Sequence, residues 1–276
     1  MKKIYLSRLL SVIAIVFFST MAGFADDVQT ITYNHDKDGM YLVHESKGNV
    51  AINFSISTLQ LQSFSYNDET MQELGVNGVT IPNDKGMPNV PVFSRFIAIP
   101  QGAQAVVHVK NIEKEVISGV NVAPSLGCQN EALEPDMNYV KNEKVYSEDA
   151  LYPAEIVNTS DVLSLRGVNA VALSISPIQF NPVKQEIVVY HSIELEVEFV
   201  GGNGHFGEDR LRSPYWDPIP QNNLINYNSL PKIDYEARMQ KWLRDGDEGY
   251  EYLIIIPNND EWEEQAEILK EYRIRQ

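Results

Sequence analysis

Residues 186–200 read EIVVYHSIELEVEFV. Ile193, Leu195, Val197 and Phe199 alternate with Glu194, Glu196 and Glu198. Successive side chains of a strand point to opposite faces, so the segment is a strand with one apolar face and one wet, acidic face. That division belongs to an antiparallel sheet solvated on one side. Working outward, the same period recurs through much of the stretch from Val28 to Val200, as in Ile52-Asn53-Phe54-Ser55-Ile56 and from Ala105 to Val109. Turn dipeptides and clusters punctuate it at Asp38-Gly39, Asn77-Gly78, Lys85-Gly86-Met87-Pro88, Gln101-Gly102 and Asn181-Pro182. Short strands at this spacing predict a mainly β domain over residues 26–200, an antiparallel sandwich or a barrel-like sheet.

The texture changes at Gly201. GGNGHFG and SPYWDPIPQNN carry Gly, Pro and Asn without a period, which predicts a linker over 201–249 or an extended strap laid on the domain surface. Residues 250–257, YEYLIIIP, hold an unbroken apolar run, the pattern of a strand buried on both faces. An Asn259/Asp260 cap follows, then a helix placing Trp262, Ala266, Leu269 and Tyr272 on one side. Strand, turn and helix form the opening unit of a doubly wound α/β domain. A single such unit cannot bury its own faces, so residues 250–276 read as the truncated start of a second domain and the chain as a fragment of a longer protein.

At 276 residues, 43% hydrophobic and 22% charged, the chain is long enough for one full core and part of another. Lys2, Lys3 and Arg8 precede an apolar run from Leu9 to Phe18 and a Gly23-Phe24-Ala25 end. This is the pattern of a secretory signal over residues 1–25, cleaved after Ala25. A membrane anchor needs about 20 apolar residues, and Ser11, Ser19 and Thr20 interrupt this run. Export is expected, with no membrane attachment after cleavage. Cys128 is the single cysteine, so no intrachain disulfide can form and stability must come from packing. A lone cysteine is ordinarily a small core residue. The net charge of −16 speaks against nucleic acid, whose phosphates need a basic face.

Three stretches together resemble the prodomain of the gingipain family of cysteine peptidases. Residues 86–103, GMPNVPVFSRFIAIPQGA, resemble its G-x-P-x-x-P segment and I-P-x-G-A turn. Residues 152–199, from YPAEIV through LRGVNAVALSISPIQFNPVKQEIVVYHSIELEVEF, are similar to its YP, LRG and PVQYNP core. Residues 250–273 resemble the first strand and helix of its caspase-like protease domain. The resemblance implies an exported zymogen segment that helps a cysteine endopeptidase fold, covers its active site and is removed by proteolysis. Its partner would be the cognate protease domain of the same parent chain. A different class, an extracellular β-sandwich adhesion module of the cell envelope, fits the composition equally well. A downstream His-Gly and a later Cys would mark the zymogen.

The family's chemistry uses a His, usually followed by Gly, with a nucleophilic Cys. Here His35, His44, His108, His191 and His205 precede Asp, Glu, Val, Ser and Phe, and Cys128 lies far upstream of the protease-like segment, so the chain itself is expected to be no enzyme. Residues 34–45 place Asn34, Asp36, Asp38, Gly39 and Glu45 on an EF-hand template, but strand-like flanks favour an Asp-Gly hairpin turn. Gly202, Gly204 and Gly207 satisfy G-x-G-x-x-G, yet Pro214 and Pro218 deny the helix that would hold a pyrophosphate. No cofactor and no metal site are expected. Basic residues ahead of Tyr250, namely Arg210, Arg212, Arg238, Lys241 and above all Arg244, are the expected processing sites, since proteases nick exposed polar chain. Pro135–Pro153 is a long aperiodic connection, expected to be the inhibitory loop, with Lys141 or Lys144 as the side chain that would enter an acidic pocket.

Overall fold

The computed structural model describes residues 27–129, 134, 137–244 and 253–275. In chain order the strands are β1 (Asp27–Thr32), β2 (Gly39–Glu45), β3 (Asn49–Ser55), β4 (Thr58–Tyr66), β5 (Glu69–Val76), β6 (Phe93–Ala98), β7 (Ala103–Ser118), β8 (Val157–Thr159), β9 (Leu163–Leu165), β10 (Val168–Ile175), β11 (Ile178–Asn181) and β12 (Glu186–Gly201). The helices are α1 (Glu143–Tyr146), α2 (Pro218–Asn223), α3 (Tyr235–Arg244) and α4 (Asp260–Ile274). Every pairing between these strands is antiparallel.

β12 is the axis of the largest sheet. Its first residues pair with β11, the rest with β3, and β7 runs along its other edge for nearly its whole length. Burial follows the alternation read from the sequence: Ile193, Leu195, Val197 and Phe199 are buried, while Glu194 and Glu198 are exposed and Glu196 half-buried. β2 completes this five-stranded sheet. A second sheet runs β6-β10-β8, with β9 also on β10, and a third runs β1-β4-β5. The sheets stay open, so the sandwich expectation holds and the barrel-like one gives way.

Residues from all three sheets share one core: Val50, Ile52 and Phe54 of β3, Leu59 and Leu61 of β4, Phe93 and Ile97 of β6, Leu173 and Ile175 of β10, and the apolar face of β12. Phe54 meets Phe93 edge to face, 5.0 Å between ring centroids, which ties the five-stranded sheet to the β6 sheet. Each such fully buried side chain contributes roughly 1.5–3 kcal/mol relative to exposure, the kind of stabilisation a domain without disulfides requires.

Two expectations are corrected. Asp38-Gly39 does not close a hairpin, because β1 pairs with β4 and β2 with β3, so the dipeptide carries the chain from one sheet to another. The Asp38 carboxylate accepts hydrogen bonds from the Ser57 amide at 2.5 Å, the Ser57 hydroxyl at 2.8 Å and the Asn77 side chain at 3.1 Å. Partial burial pushes its pKa up, but these donors outweigh burial and hold it below the ordinary carboxylate value. They fix the crossover to the β3–β4 turn and occupy the carboxylate that the EF-hand template would have directed at a cation. Residues 253–257, expected within a doubly buried strand, pair with no strand among the described residues, and Leu253 and Ile255 are exposed. An apolar run becomes a buried strand only where neighbouring strands supply its hydrogen bonds and cover.

Candidate functional site

The segment expected to inhibit lies against the domain rather than standing free. Its residues 135 and 136, with 130–133 before them, are outside the described residues. The Tyr139 ring is tilted against Phe64 and meets Tyr66 edge to face, with centroids at 5.1 and 5.2 Å, and its hydroxyl donates to Glu73 at 2.9 Å. Burial, then Glu73, push its phenol pKa up to about 12. The Asn142 amide donates to the Gly86 carbonyl at 2.9 Å, and its side chain caps α1 by accepting from the Val145 amide. Tyr146 donates to the Val122 carbonyl at 3.0 Å and packs on the ring of Phe180. Tyr152 and Phe180 exchange two backbone hydrogen bonds of 2.8 Å.

The two lysines part company here. Lys141 pairs with Glu69 and lies over the Tyr146 ring, 5.1 Å from its centroid. Its hydrogen bond to Glu69 is the main reason that carboxylate is held below its ordinary range. Lys144 sits on α1, exposed, with no ion pair among the described residues. Of the two, Lys144 is the one presented outward.

Residues 201–231 are a strap, not a loose linker. Phe206, Leu224 and Leu230 are buried in the common core, and Phe206 meets Phe199 edge to face at 5.9 Å. Leu224 bridges Phe96 and the Ile225 amide donates to the Phe96 carbonyl at 2.9 Å, so the strap adds to the outer edge of β6. Asn226, fully buried, accepts from the Ala98 amide at 2.8 Å and donates to the Ala98 carbonyl at 2.9 Å. Its side chain thus stands in for a paired strand residue and shields an edge that would otherwise be open. The glycines serve this packing: Gly202 has φ +78°, and a Cβ there would lie 2.8 Å from both the Ala103 nitrogen and the Gln101 oxygen.

The basic residues expected as processing sites differ in their burial and contacts. Arg212 was expected in exposed chain, but it is 5% exposed and grips Asp217 through Nε at 2.7 Å and Nη2 at 2.8 Å. A buried, bidentate guanidinium cannot enter a protease cleft without unfolding the strap. Asp217 also accepts from Tyr235 at 2.5 Å. The Arg212 hydrogen bond, followed by that of Tyr235, holds the Asp217 carboxyl below its usual range against partial burial. The same contact, against burial, raises the Arg212 guanidinium. Arg238 donates to the carbonyls of Asp209, Arg210 and Arg212 at 2.9–3.2 Å, which ties α3 back to the strap. Arg210 has a side chain 76% exposed, and Lys241 is exposed. Arg244 ends α3, with its side chain outside the described residues, as is Ala25 at the expected signal cleavage.

Cys128 is exposed rather than in the core; it lies outside the strands, just after the turn in which the Gly127 amide donates to the Ser125 hydroxyl, so no alternation directs it inward. Sequence reasoning missed Asp217 and Asn226, which lie in aperiodic chain where single anchors leave no pattern. Among the described residues no helix is long and apolar enough to cross a membrane.

The described residues thus form an open antiparallel sandwich with the outer edge of β6 covered by the strap and the segment from Met137 to Pro153 packed against it. Residues 29–232 match the model of the Propeptide_C25 family, and the chain belongs to that family. It is 26% identical over 269 residues to gingipain R2 of Porphyromonas gingivalis strain W83, covering 95% of this chain and 34% of that protein. It is also 27% identical over 173 residues to Lys-gingipain of the same species, covering 59% of this chain and 10% of that protein. The chain thus spans about a third or less of these relatives' length. Among solved structures, the complex of the P. gingivalis RgpB pro- and mature domains matches with a TM-score of 0.61 at 26% identity, over 70% of this chain and 98% of that one. A structure addressing the zymogenic latency of P. gingivalis gingipain K matches with a TM-score of 0.54 at 25% identity, over 64% of this chain and all of that one. The chain is a gingipain-type prodomain, as its sequence resemblance implied, and the match is to a propeptide rather than to an adhesion module.

Proposed function

We propose that this chain is the exported zymogen segment of a cysteine endopeptidase, assisting the folding of the protease domain and covering its active site until proteolysis removes it. The observation that carries the reading is the match to the chain in the RgpB pro- and mature-domain complex, nearly all of which aligns here. The partner is the cognate protease domain, of which residues 250–276 would be the opening segment, its apolar run pairing as a strand only against the rest of that domain. The exposure of Leu253, Ile255 and Trp262 supports this, since apolar surface of that kind needs a further layer to cover it. The chain alone has no peptidase activity.

Within the docked loop, Lys144 is the side chain offered to an acidic specificity pocket, while Lys141 holds α1 against β5 through Glu69. A large interface with one loop in the cleft occupies the site without productive attack. The test measures inhibition of the cognate mature protease by the separate chain. Lys144→Ala weakens inhibition at least tenfold, or about 1.4 kcal/mol, and Lys141→Ala weakens it less, through loosening of α1. If both single variants and the double variant inhibit within a factor of about two of the parent, under ~0.5 kcal/mol, this loop is not the inhibitory element.

A further inference from the structure

The pairing of β12 with β7 shifts register at two places, and at the first of them His191 has no partner on β7 between the Tyr190–Lys114 and Ser192–Glu113 pairs. A bulge of this kind leaves one residue unpaired and re-aims its side chain. The ring of His191 turns toward the crossover between β1 and β2, where His35 Nε2 lies 3.1 Å from His191 Nδ1. The carboxylate of Glu113, on the neighbouring strand, approaches the same His191 nitrogen at 3.8 Å. One ligand atom from each of His35, Glu113 and His191 lies within 4.8 Å of the others. Tyr33 stacks on His191, centroids 4.7 Å apart and rings 10° from parallel, and its hydroxyl donates to Glu115. The His191 ring is therefore held from one face while its Nδ1 points into the cluster.

We propose that His35, His191 and Glu113 form a binding site for one divalent transition-metal ion, Zn2+ by preference, with water completing the coordination. Two nitrogen ligands at the usual Zn–N length of about 2.0–2.1 Å in tetrahedral array are roughly 3.3 Å apart, and the two imidazoles already stand at 3.1 Å. The set of two imidazoles and one carboxylate suits zinc and disfavours Mg2+ and Ca2+, which take oxygen ligands. Without metal, one ring must donate the proton shared between Nε2 and Nδ1. On loading, that proton moves to the outer nitrogen of its own ring, so both inner nitrogens present lone pairs and no net proton is released. Burial and then His35 hold the His191 pKa below its ordinary value, against the pull of Glu113 and Glu115. The three ligands come from chain positions far apart, on the sheet crossover, β7 and β12. The ion would therefore clamp the crossover onto the β7–β12 ribbon; it is a structural tie and performs no chemistry.

The test titrates the chelator-treated full chain with Zn2+ by calorimetry and repeats it with Co2+, whose visible d–d absorption reports coordination. One ion per chain is expected, and saturation at about 100 times the dissociation constant raises the melting temperature by roughly 5 °C or more. His35→Ala and Glu113→Gln each weaken binding about tenfold or more, roughly 1.4 kcal/mol, and the exposed Glu113→Gln keeps the melting temperature of the metal-free parent. His191→Ala is the more disruptive change, so the solvent-facing Glu113→Gln variant decides should it fail to fold. Stoichiometric binding that is unchanged in both His35→Ala and Glu113→Gln places the ion elsewhere and overturns the proposal. No binding up to about 100 μM Zn2+, weaker than roughly −5.5 kcal/mol, overturns it as well.

Discussion

Replacing Asn226 with Ala removes the two hydrogen bonds that bind the strap to the edge of β6, to the Ala98 amide at 2.8 Å and to the Ala98 carbonyl at 2.9 Å. Asn226 and Ala98 are both fully buried, so water does not replace the lost partner. Each orphaned buried group costs about 1–3 kcal/mol, which gives a total loss of roughly 2–6 kcal/mol. At about 2–4 °C per kcal/mol for a domain of this size, the melting temperature falls by roughly 5–20 °C. Asn226→Asp keeps an acceptor for the Ala98 amide but turns a second carboxylate oxygen toward the Ala98 carbonyl. Near neutral pH it costs at least as much as Ala, and it recovers on acidification, when the protonated carboxyl can donate. Urea unfolding followed by far-ultraviolet circular dichroism and by Trp216 fluorescence reads both effects. Trp216 lies against the Arg166 guanidinium, 3.7 Å from its carbon, and so reports on the strap. Conservative Trp242→Phe and Trp262→Phe changes isolate that signal. An Ala variant within about 1 kcal/mol of the parent would refute the view that the strap is part of the cooperative fold.

Gly202→Ala combines a positive φ with a Cβ 2.8 Å from backbone atoms, whereas Gly204 has φ +72° and open space. Thermal melts should show about 1–2 kcal/mol lost for Gly204→Ala, the left-handed strain alone, and clearly more for Gly202→Ala. Because the folded pKa of Asp217 is depressed by Arg212, its contribution to stability is complete above the unfolded-chain value near 4 and disappears as pH falls through the lower folded value. Asp217→Asn should flatten the stability decline below about pH 4 in acid titrations, and an unchanged acid limb would contradict this. Limited trypsin digestion under native conditions should cleave after Arg210, Lys241 or Arg244 well before Arg212, checked by mass spectrometry of the fragments. Early cleavage after Arg212 would mean that its grip on Asp217 does not persist in solution.

Much of the sandwich was legible because strands write their period into the chain. The β12 alternation predicted its faces residue by residue, and GMPNVPVFSRFIAIPQGA contains β6 and the turn into β7. Residues 201–231 were legible only as alternatives, linker or strap. Phe206, Leu224, Asn226 and Leu230 are single anchors at irregular intervals, and a side chain that substitutes for a strand leaves no repeating signal. Asp38-Gly39 has hairpin chemistry, but the hydrogen bonds that divert it come from Ser57 and Asn77. The His35, Glu113 and His191 cluster was hidden for the same reason, since His35 and His191 are 156 positions apart. In the candidate site, sequence supplied both lysines, and the contacts with Glu69 and Tyr146 that separate their roles came from tertiary packing.

Between β7 and β12 the pairing is displaced by one residue only from Ser192 to Glu194, because the extra residue at His191 is answered by Lys110 on the opposite strand. The two irregularities cancel, and the strands leave the ribbon in the frame in which they entered. A one-residue deletion at either place alone would let the displacement run to the end of the ribbon, turning Ala103, Ala105 and Val107 of β7 away from the core they now touch. Removing both together would leave the outer pairs where they are. The ribbon thus constrains the difference in length between its two strands rather than either length, and insertions or deletions tolerated in it should come in compensating pairs.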